Sequence, residues 1–303
     1  MRQVSVLTDE GRRAGILDRE RVYVTSYPGL EAAVAAGADL ASAPGSWRPA
    51  EAVRFDAPLR PPVVLCAGQN YADHLDEKAP VEVEDPEFFI KAGQTIAAPG
   101  EVCLLDGDVT TKLDYETELG IVIGVPGHRI AAEDAHRHIA GYVVLNDLTA
   151  RDRQVVVHPD GSFGLALGPG KNFDGATRMS SWVTTGDEVG DPQALGLTTR
   201  VNGELRQSNS TAAMVFSIGR IVEYLSNLLT LQPGTVIATG TPGGTGWGMD
   251  AQLGGTSTTP EGCAPARYLA HGDAVTSAVE GVGELSFHVR AAGRGDRRLR
   301  QAA

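Results

Sequence analysis

The stretch LDYETELGIVIG, residues 113–124, places acids at Asp114, Glu116 and Glu118 and then runs into Ile121, Val122 and Ile123. Its β-branched tail reads as a strand, and residues two apart on a strand share a face. Glu116 and Glu118 therefore lie side by side. Burying both without a partner would cost several kcal/mol or raise a pKa, so a positive group is expected between them. Taken alone, the pattern also fits a solvated strand end whose acids meet Lys or Arg.

Further short apolar runs of the same kind surround it. VVLCAG (63–68), ELGIVIG (118–124), GYVVLND (141–147) and GTVIATGTP (234–242) read as strands, the last ending in a Gly-rich loop, and DAVTSAVEGVGELSFHV (273–289) reads as a closing hairpin. The best helix is within TAAMVFSIGRIVEYLSNLLTL (211–231), where Met214, Ile218, Ile221, Val222, Leu225, Leu228 and Leu229 keep helical spacing behind a cap at Ser210 or Thr211. AAEDAHRHIA (131–140) is a second helical candidate. Strands dominate and no βαβ repeat is visible, so an α+β protein with a mixed, strand-rich core is expected. Residues 1–57 alternate short strands with turns and one helical segment near LEAAVAAGADLA, which suggests a small leading α+β domain. The Pro-rich stretch 43–62 reads as a connector. A main domain over 58–295 and a tail over 296–303 complete the division.

Composition narrows the partners. With 42% hydrophobic and 21% charged residues the chain is of ordinary globular type, and its formal charge of −12 argues against nucleic acid or an anionic membrane surface. A small anion remains admissible, because one bound metal can reverse the local sign. Cys66, Cys103 and Cys263 are widely spaced and odd in number, which suggests neither a disulfide framework nor a zinc cluster. With no apolar signal core and no membrane-length apolar run, a reduced cytoplasmic setting is expected.

Four segments carry residues suited to chemistry. In GYVVLNDLTARDRQ, Asp147 ends a strand, and a helix starting there would put Arg151 and Gln154 on one face. Asp147 could equally cap that helix and pair with Arg151. With Glu116 and Glu118 it makes three carboxylates at strand termini, an oxygen set suited to Mg²⁺ or Mn²⁺, or to a structural Ca²⁺ in a non-catalytic binding protein, and less to zinc. In AGQNYADHLDEK (67–78), His74 and Glu77 are three apart, so the carboxylate can orient the imidazole as a base; a surface ion pair is the alternative. GPGKNFD (168–174) places Lys171 in a Gly and Pro loop, where its ammonium is either solvated or aimed at a developing oxyanion. TGTPGG (239–244) offers hydroxyl and N–H groups for a carboxylate.

The ordered set N-Y-A-D-H, E-x-E before an apolar strand, N-D-x-x-A-R-D, G-K-x-F-D, V-N-G-E-x-R-Q and T-G-T-P resembles the fumarylacetoacetate hydrolase family over about residues 60–290. The resemblance implies a mixed β-roll, usually a homodimer, behind a small variable amino-terminal domain. It implies Glu116, Glu118 and Asp147 as metal ligands, His74 and Glu77 as a water-activating dyad, and Lys171 as an electrophilic stabiliser. Arg151, Gln154 and Thr241 would contact the carboxylate and keto oxygens of a small 2-oxo acid. The reaction implied is hydrolysis of a C–C bond in an acylpyruvate-like acid through a pyruvate enolate; oxaloacetate decarboxylation and 2-hydroxydienoate isomerisation need the same groups. Gln69 and the long segment 243–270 depart from the family pattern, and both adjoin the expected substrate site. Trp247, Met249 and Leu253 give that segment apolar groups, so it reads as a pocket wall, a dimer contact or a surface insertion.

Overall fold

The computed structural model describes residues 1–78, 84–293 and 296, so the expected tail beyond Asp296 lies outside the described residues. Two large sheets and two two-stranded ladders form an α+β fold with few helices among the described residues. The larger has twelve strands and mixed direction, and the smaller has five.

The strand Thr117–Ile123 is buried along its whole length. It pairs antiparallel with Ile139–Asp147 on one side and with Val236–Ala238 on the other. Val236–Ala238 runs parallel to Val63–Gly68, which pairs antiparallel with Glu87–Ala92. The acidic stretch is not one continuous strand. It breaks at Tyr115 and Glu116, and Leu113–Asp114 forms a separate ladder with Thr149–Ala150. The Asp147 amide bonds the Glu116 carbonyl at 2.9 Å across this break. Both acids therefore sit where two central strands leave the large sheet together.

Alternation along Thr117–Ile123 supplies both faces of the sheet. Leu119, Ile121 and Ile123 pack with Leu197, Val201, Val275 and Phe287 of the smaller sheet and with Ile221 and Leu225 of the helix Ile218–Leu228. Val122 points the other way, toward Leu30, Leu40 and Leu59. Full burial of each such side chain contributes roughly 1.5–3 kcal/mol. At the amino end, Arg2–Val4 pairs with Trp182–Thr184, so the large sheet runs unbroken into the leading segment. The Pro-rich stretch forms two short strands there: Gly45–Pro49 pairs with Arg21–Thr25, and Arg54–Asp56 with Ser5–Leu7. Its Pro49 ends an edge strand, where a missing N–H is tolerated.

The best helix starts later than its spacing suggests. Ser217 caps it, accepting from the Arg220 amide at 3.2 Å, while Ser210 caps only a 3₁₀ turn, Thr211–Ala213. The interruption has a cause in hydrogen bonding: the amides of Val215 and Phe216 bond the backbone and side-chain oxygens of Asn70 at 2.8 and 2.7 Å. Those amides tie the segment to the N-Y-A-D-H loop. The second candidate, 131–140, holds a 3₁₀ helix, Ala132–His138.

A buried polar network fastens the smaller sheet beneath the acids. Thr117 Oγ1 bonds Thr199 Oγ1, and donates to Ser277 Oγ at 2.7 Å. The Gln207 side chain accepts from the Thr117 amide at 3.1 Å and from the Thr199 hydroxyl at 2.5 Å, and its Nε2 donates to Thr241 Oγ1 and the Pro242 carbonyl. Gln207 is fully buried, so Gln207→Leu leaves several polar groups without partners. We expect a loss of about 2–4 kcal/mol from urea unfolding midpoints; an unchanged midpoint would show that the network does not hold the sheets together.

Candidate active site

Glu116, Glu118 and Asp147 each bring a carboxylate oxygen within 4.8 Å of the others, and all three are buried. The positive groups expected between them are present. Arg151 opens the helical turn Arg151–Gln154, and its guanidinium reaches back to Asp114 Oδ2 at 2.7 Å, Glu116 Oε1 at 2.6 Å and Gln154 Oε1 at 2.7 Å. Lys171 ends a helical turn, Leu167–Lys171, instead of lying in an open loop, and its ammonium bridges Glu116 Oε2 and Asp147 Oδ2. Asp147 is also bonded by Lys91, which donates to the Ala176 carbonyl at 2.9 Å as well. Asp147 thus meets two lysines, and the local pairing with Arg151 does not form.

Charge is not balanced here. Asp114, Glu116, Glu118 and Asp147 face Arg151, Lys171 and Lys91, four acids against three bases. Burial works to raise the Glu116 pKa, but the charges of Lys171 and Arg151 overcome it and hold that carboxyl below its usual range. Glu118 has the opposite fate: burial, then the charges of Asp147 and Glu116, push it well above. It accepts the Gly240 amide at 2.7 Å, and among the described residues no cationic side chain bonds it. Three convergent oxygen donors, one of them without a cationic partner, fit a divalent hard cation, whose charge would favour the ionised form of Glu118.

The dyad is built beside them. The turn Ala72–Leu75 presents His74, whose Nδ1 lies 2.7 Å from Glu77 Oε2. Glu77 also accepts the Gly244 amide at 2.6 Å, the Thr245 amide at 2.9 Å and the Thr245 hydroxyl at 2.7 Å. Glu77 Oε2 accepts from His74 Nδ1–H, which leaves Nε2 as the ring nitrogen free for a proton-accepting role. His74 lines one cleft with Glu116, Glu118, Arg151, Gln154, Lys171 and Thr241. Gln154 offers its amide nitrogen there, since its oxygen is held by Arg151. Thr241 is more constrained, because its hydroxyl donates to the Thr117 carbonyl at 2.9 Å and accepts from Gln207.

The long segment after Thr241 is part of the wall. Besides the two residues that hold Glu77, the amides of Gly246 and Trp247 bond Asp114 at 2.8 and 3.0 Å. Close approach requires glycine at two of these positions. A Cβ on Gly244, at φ +99, would lie 2.0 Å from the Arg206 carbonyl, and one on Gly248 would lie 2.7 Å from Glu77 Oε1. The Trp247 ring has Arg151 5.0 Å away and Lys78 5.0 Å away, with His74 at its edge. Sequence reasoning missed Lys91, Lys78, Asp114 and Gln207 as site residues. Lys91 had a signal, a lysine inside the apolar strand EFFIKA; Asp114 had one too, in its alternation with the two glutamates.

Comparison with known proteins follows the same lines. Residues 63–290 match the family described as fumarylacetoacetate (FAA) hydrolase C-terminal. Over 242 residues the chain is 37% identical to oxaloacetate tautomerase YisK of Bacillus subtilis (strain 168), covering 78% of this chain and 73% of that protein. Among solved structures, the fumarylacetoacetate hydrolase EaFAH from psychrophilic Exiguobacterium antarcticum superposes with a TM-score of 0.75 at 34% identity, over 96% of this chain and 100% of that one. The 2-hydroxyhepta-2,4-diene-1,7-dioate isomerase from Mycobacterium marinum gives 0.74 at 28% identity, over 97% and 100%. With three-quarters of its length matched and the motif residues gathered in one cleft, the chain belongs to the fumarylacetoacetate hydrolase family.

Proposed function

We propose that this enzyme hydrolyses a carbon–carbon bond in an acylpyruvate-like 2,4-dioxo acid, with Mg²⁺ or Mn²⁺ held by Glu116, Glu118 and Asp147. The observation that supports this reading is that His74, held by buried Glu77, lines the same cleft as Glu116 and Glu118, whose carboxylates converge with that of Asp147. A divalent ion there supplies positive charge for the carboxylate and 2-oxo group of the substrate and for the enolate charge that grows on cleavage. His74 Nε2 takes a proton from water, whose oxygen adds to the distal carbonyl. The bond between that carbon and its neighbour breaks, leaving a carboxylic acid and the enolate of pyruvate, and the proton on His74 returns to the enolate carbon. Glu77 stabilises the imidazolium between the two transfers. Arg151 and the Gln154 amide orient the substrate's carboxylate end, and Lys171 bridges Glu116 and Asp147 and holds them in place.

A second reading is favoured by the relative at 37% identity, which is named an oxaloacetate tautomerase. There His74 would move a proton at the carbon beside the 2-oxo group, and no water would be consumed. A panel of acylpyruvates, oxaloacetate and 2-hydroxydienoates separates the readings by product: two fragments for hydrolysis, pyruvate and CO₂ for decarboxylation, an isomer for proton transfer alone.

Two outcomes are expected. Chelator-treated protein should lose turnover and regain it with Mn²⁺, and Glu118→Gln should weaken Mn²⁺ binding in calorimetry while leaving the unfolding midpoint largely intact; full activity without added metal would remove the ion from the mechanism. His74→Ala should lower kcat by ~10²–10⁴ with a smaller change in KM, and a hydrolysis rate equal to wild type would exclude it as the base. If the reaction is proton transfer, the same variant should lose it as well, whereas a decarboxylation that needs no base would persist.

A further inference from the structure

Beside the cleft lies a second chamber lined by Gln69, Lys78, Phe163, Leu165, Trp247, Leu253 and Gly254. Gln69, Lys78, Leu165 and Trp247 line both spaces, so the two are adjacent. The walls of the outer chamber are mostly apolar, and Lys78 is its one charged side chain among the described residues. Lys78 is nine-tenths buried, yet among the described residues no hydrogen bond or ion pair reaches its ammonium; its nearest marked contact is the face of Trp247. A buried cation with no counter-ion is costly, and such a group is normally paired or neutralised.

The other polar groups of the chamber do not serve an anion. Trp247 Nε1 donates to the Leu253 carbonyl at 2.8 Å, and Gln69 Nε2 donates to Glu87 at 2.6 Å. The Gln69 amide oxygen is buried without a partner and, as an acceptor, repels a carboxylate placed against it. Lys78 is therefore the uncommitted side-chain donor of the chamber.

We infer that Lys78 is a specificity-determining residue that binds a second, distal carboxylate, so that the preferred substrate is a 2-oxo dicarboxylate whose far end reaches past Trp247 into this chamber. The inference rests on the reading above, since it takes the 2-oxo end of the substrate to lie at the three carboxylates. Apolar walls strengthen the ion pair by excluding water. Burial, followed by the Arg151 charge, brings the Lys78 pKa down to about 8, while Glu87, Glu116 and Glu77 act to raise it. The group is thus mostly charged at neutral pH, and an arriving carboxylate holds it charged.

The test uses Mn²⁺-loaded protein and three stable probes in calorimetry. Oxalate occupies the metal end alone; 2-oxopentanoate and 2-oxoglutarate share a five-carbon 2-oxo chain and differ in the distal carboxylate. Wild type should prefer 2-oxoglutarate over 2-oxopentanoate by roughly ten- to a hundredfold, the range of a charge-assisted hydrogen bond. Lys78→Met should abolish that preference while oxalate and 2-oxopentanoate bind as before, and Lys78→Arg should retain it. Retained oxalate binding also certifies that the Met variant is folded. A preference that is absent in wild type, or that survives Lys78→Met, overturns the role of Lys78 and leaves the proposed function standing. Failure of oxalate itself to bind the metal-loaded wild type overturns both.

Discussion

Four buried carboxylates within reach of three buried bases set the terms for the rest of the molecule. Such a cluster is stable only where every lone pair finds a donor, because a carboxylate stripped of water and left unpaired costs several kcal/mol. The fold meets this by ending strands at the site. Where Thr117–Ile123 and Ile139–Asp147 leave the large sheet, backbone amides and lysines from Glu87–Ala92 and Leu167–Lys171 become available to the acids. Glu118 is left without a cationic partner among the described residues, and that lack of positive charge is what suits the site to a cation.

The same logic explains why a Gly-rich segment with one short 3₁₀ turn, Gly246–Met249, and not a longer helix or a strand, forms this wall of the cleft. Residues 244–247 donate four backbone amides to two acids, Glu77 and Asp114, with the Thr245 hydroxyl as a fifth donor. Regular secondary structure would spend those amides on its own ladder. The loop therefore couples the dyad to the acid cluster: Trp247 follows directly, and its ring lies against Arg151, Lys78 and the edge of His74.

Much of the arrangement was legible in the sequence because it was encoded locally. The H-x-x-E spacing and the apolar strands each report on a short stretch of backbone, and each lies where that spacing puts it. The strand read through Asp114, Glu116 and Glu118 instead breaks at Tyr115 and Glu116, although its acids still converge on Arg151 and the neighbouring carboxylates. Long-range partners were not legible. Asp147 pairs with Lys91 and Lys171, 56 and 24 residues away, and not with Arg151 four residues on. The start of the long helix was misplaced for a similar reason: Asn70, distant in sequence, captures the amides that would have extended it upstream. Apolar periodicity detects which face is buried, but not which side chain supplies the hydrogen bonds.

Lys78 marks the limit of such reading most clearly. It stands next to Glu77 and would pass for the solvated end of a surface turn, a common fate for lysine. The return of residues 247–254 lays Trp247 against its ammonium and brings Leu253 and Gly254 to the chamber that Lys78 lines. The long segment after Thr241 thus both orients Glu77 and lays Trp247 against Lys78. On the proposed reading, catalytic support and substrate choice are therefore tied to one loop, and variation in it that preserves the Glu77 and Asp114 contacts can alter the distal chamber while leaving the acid cluster as it is.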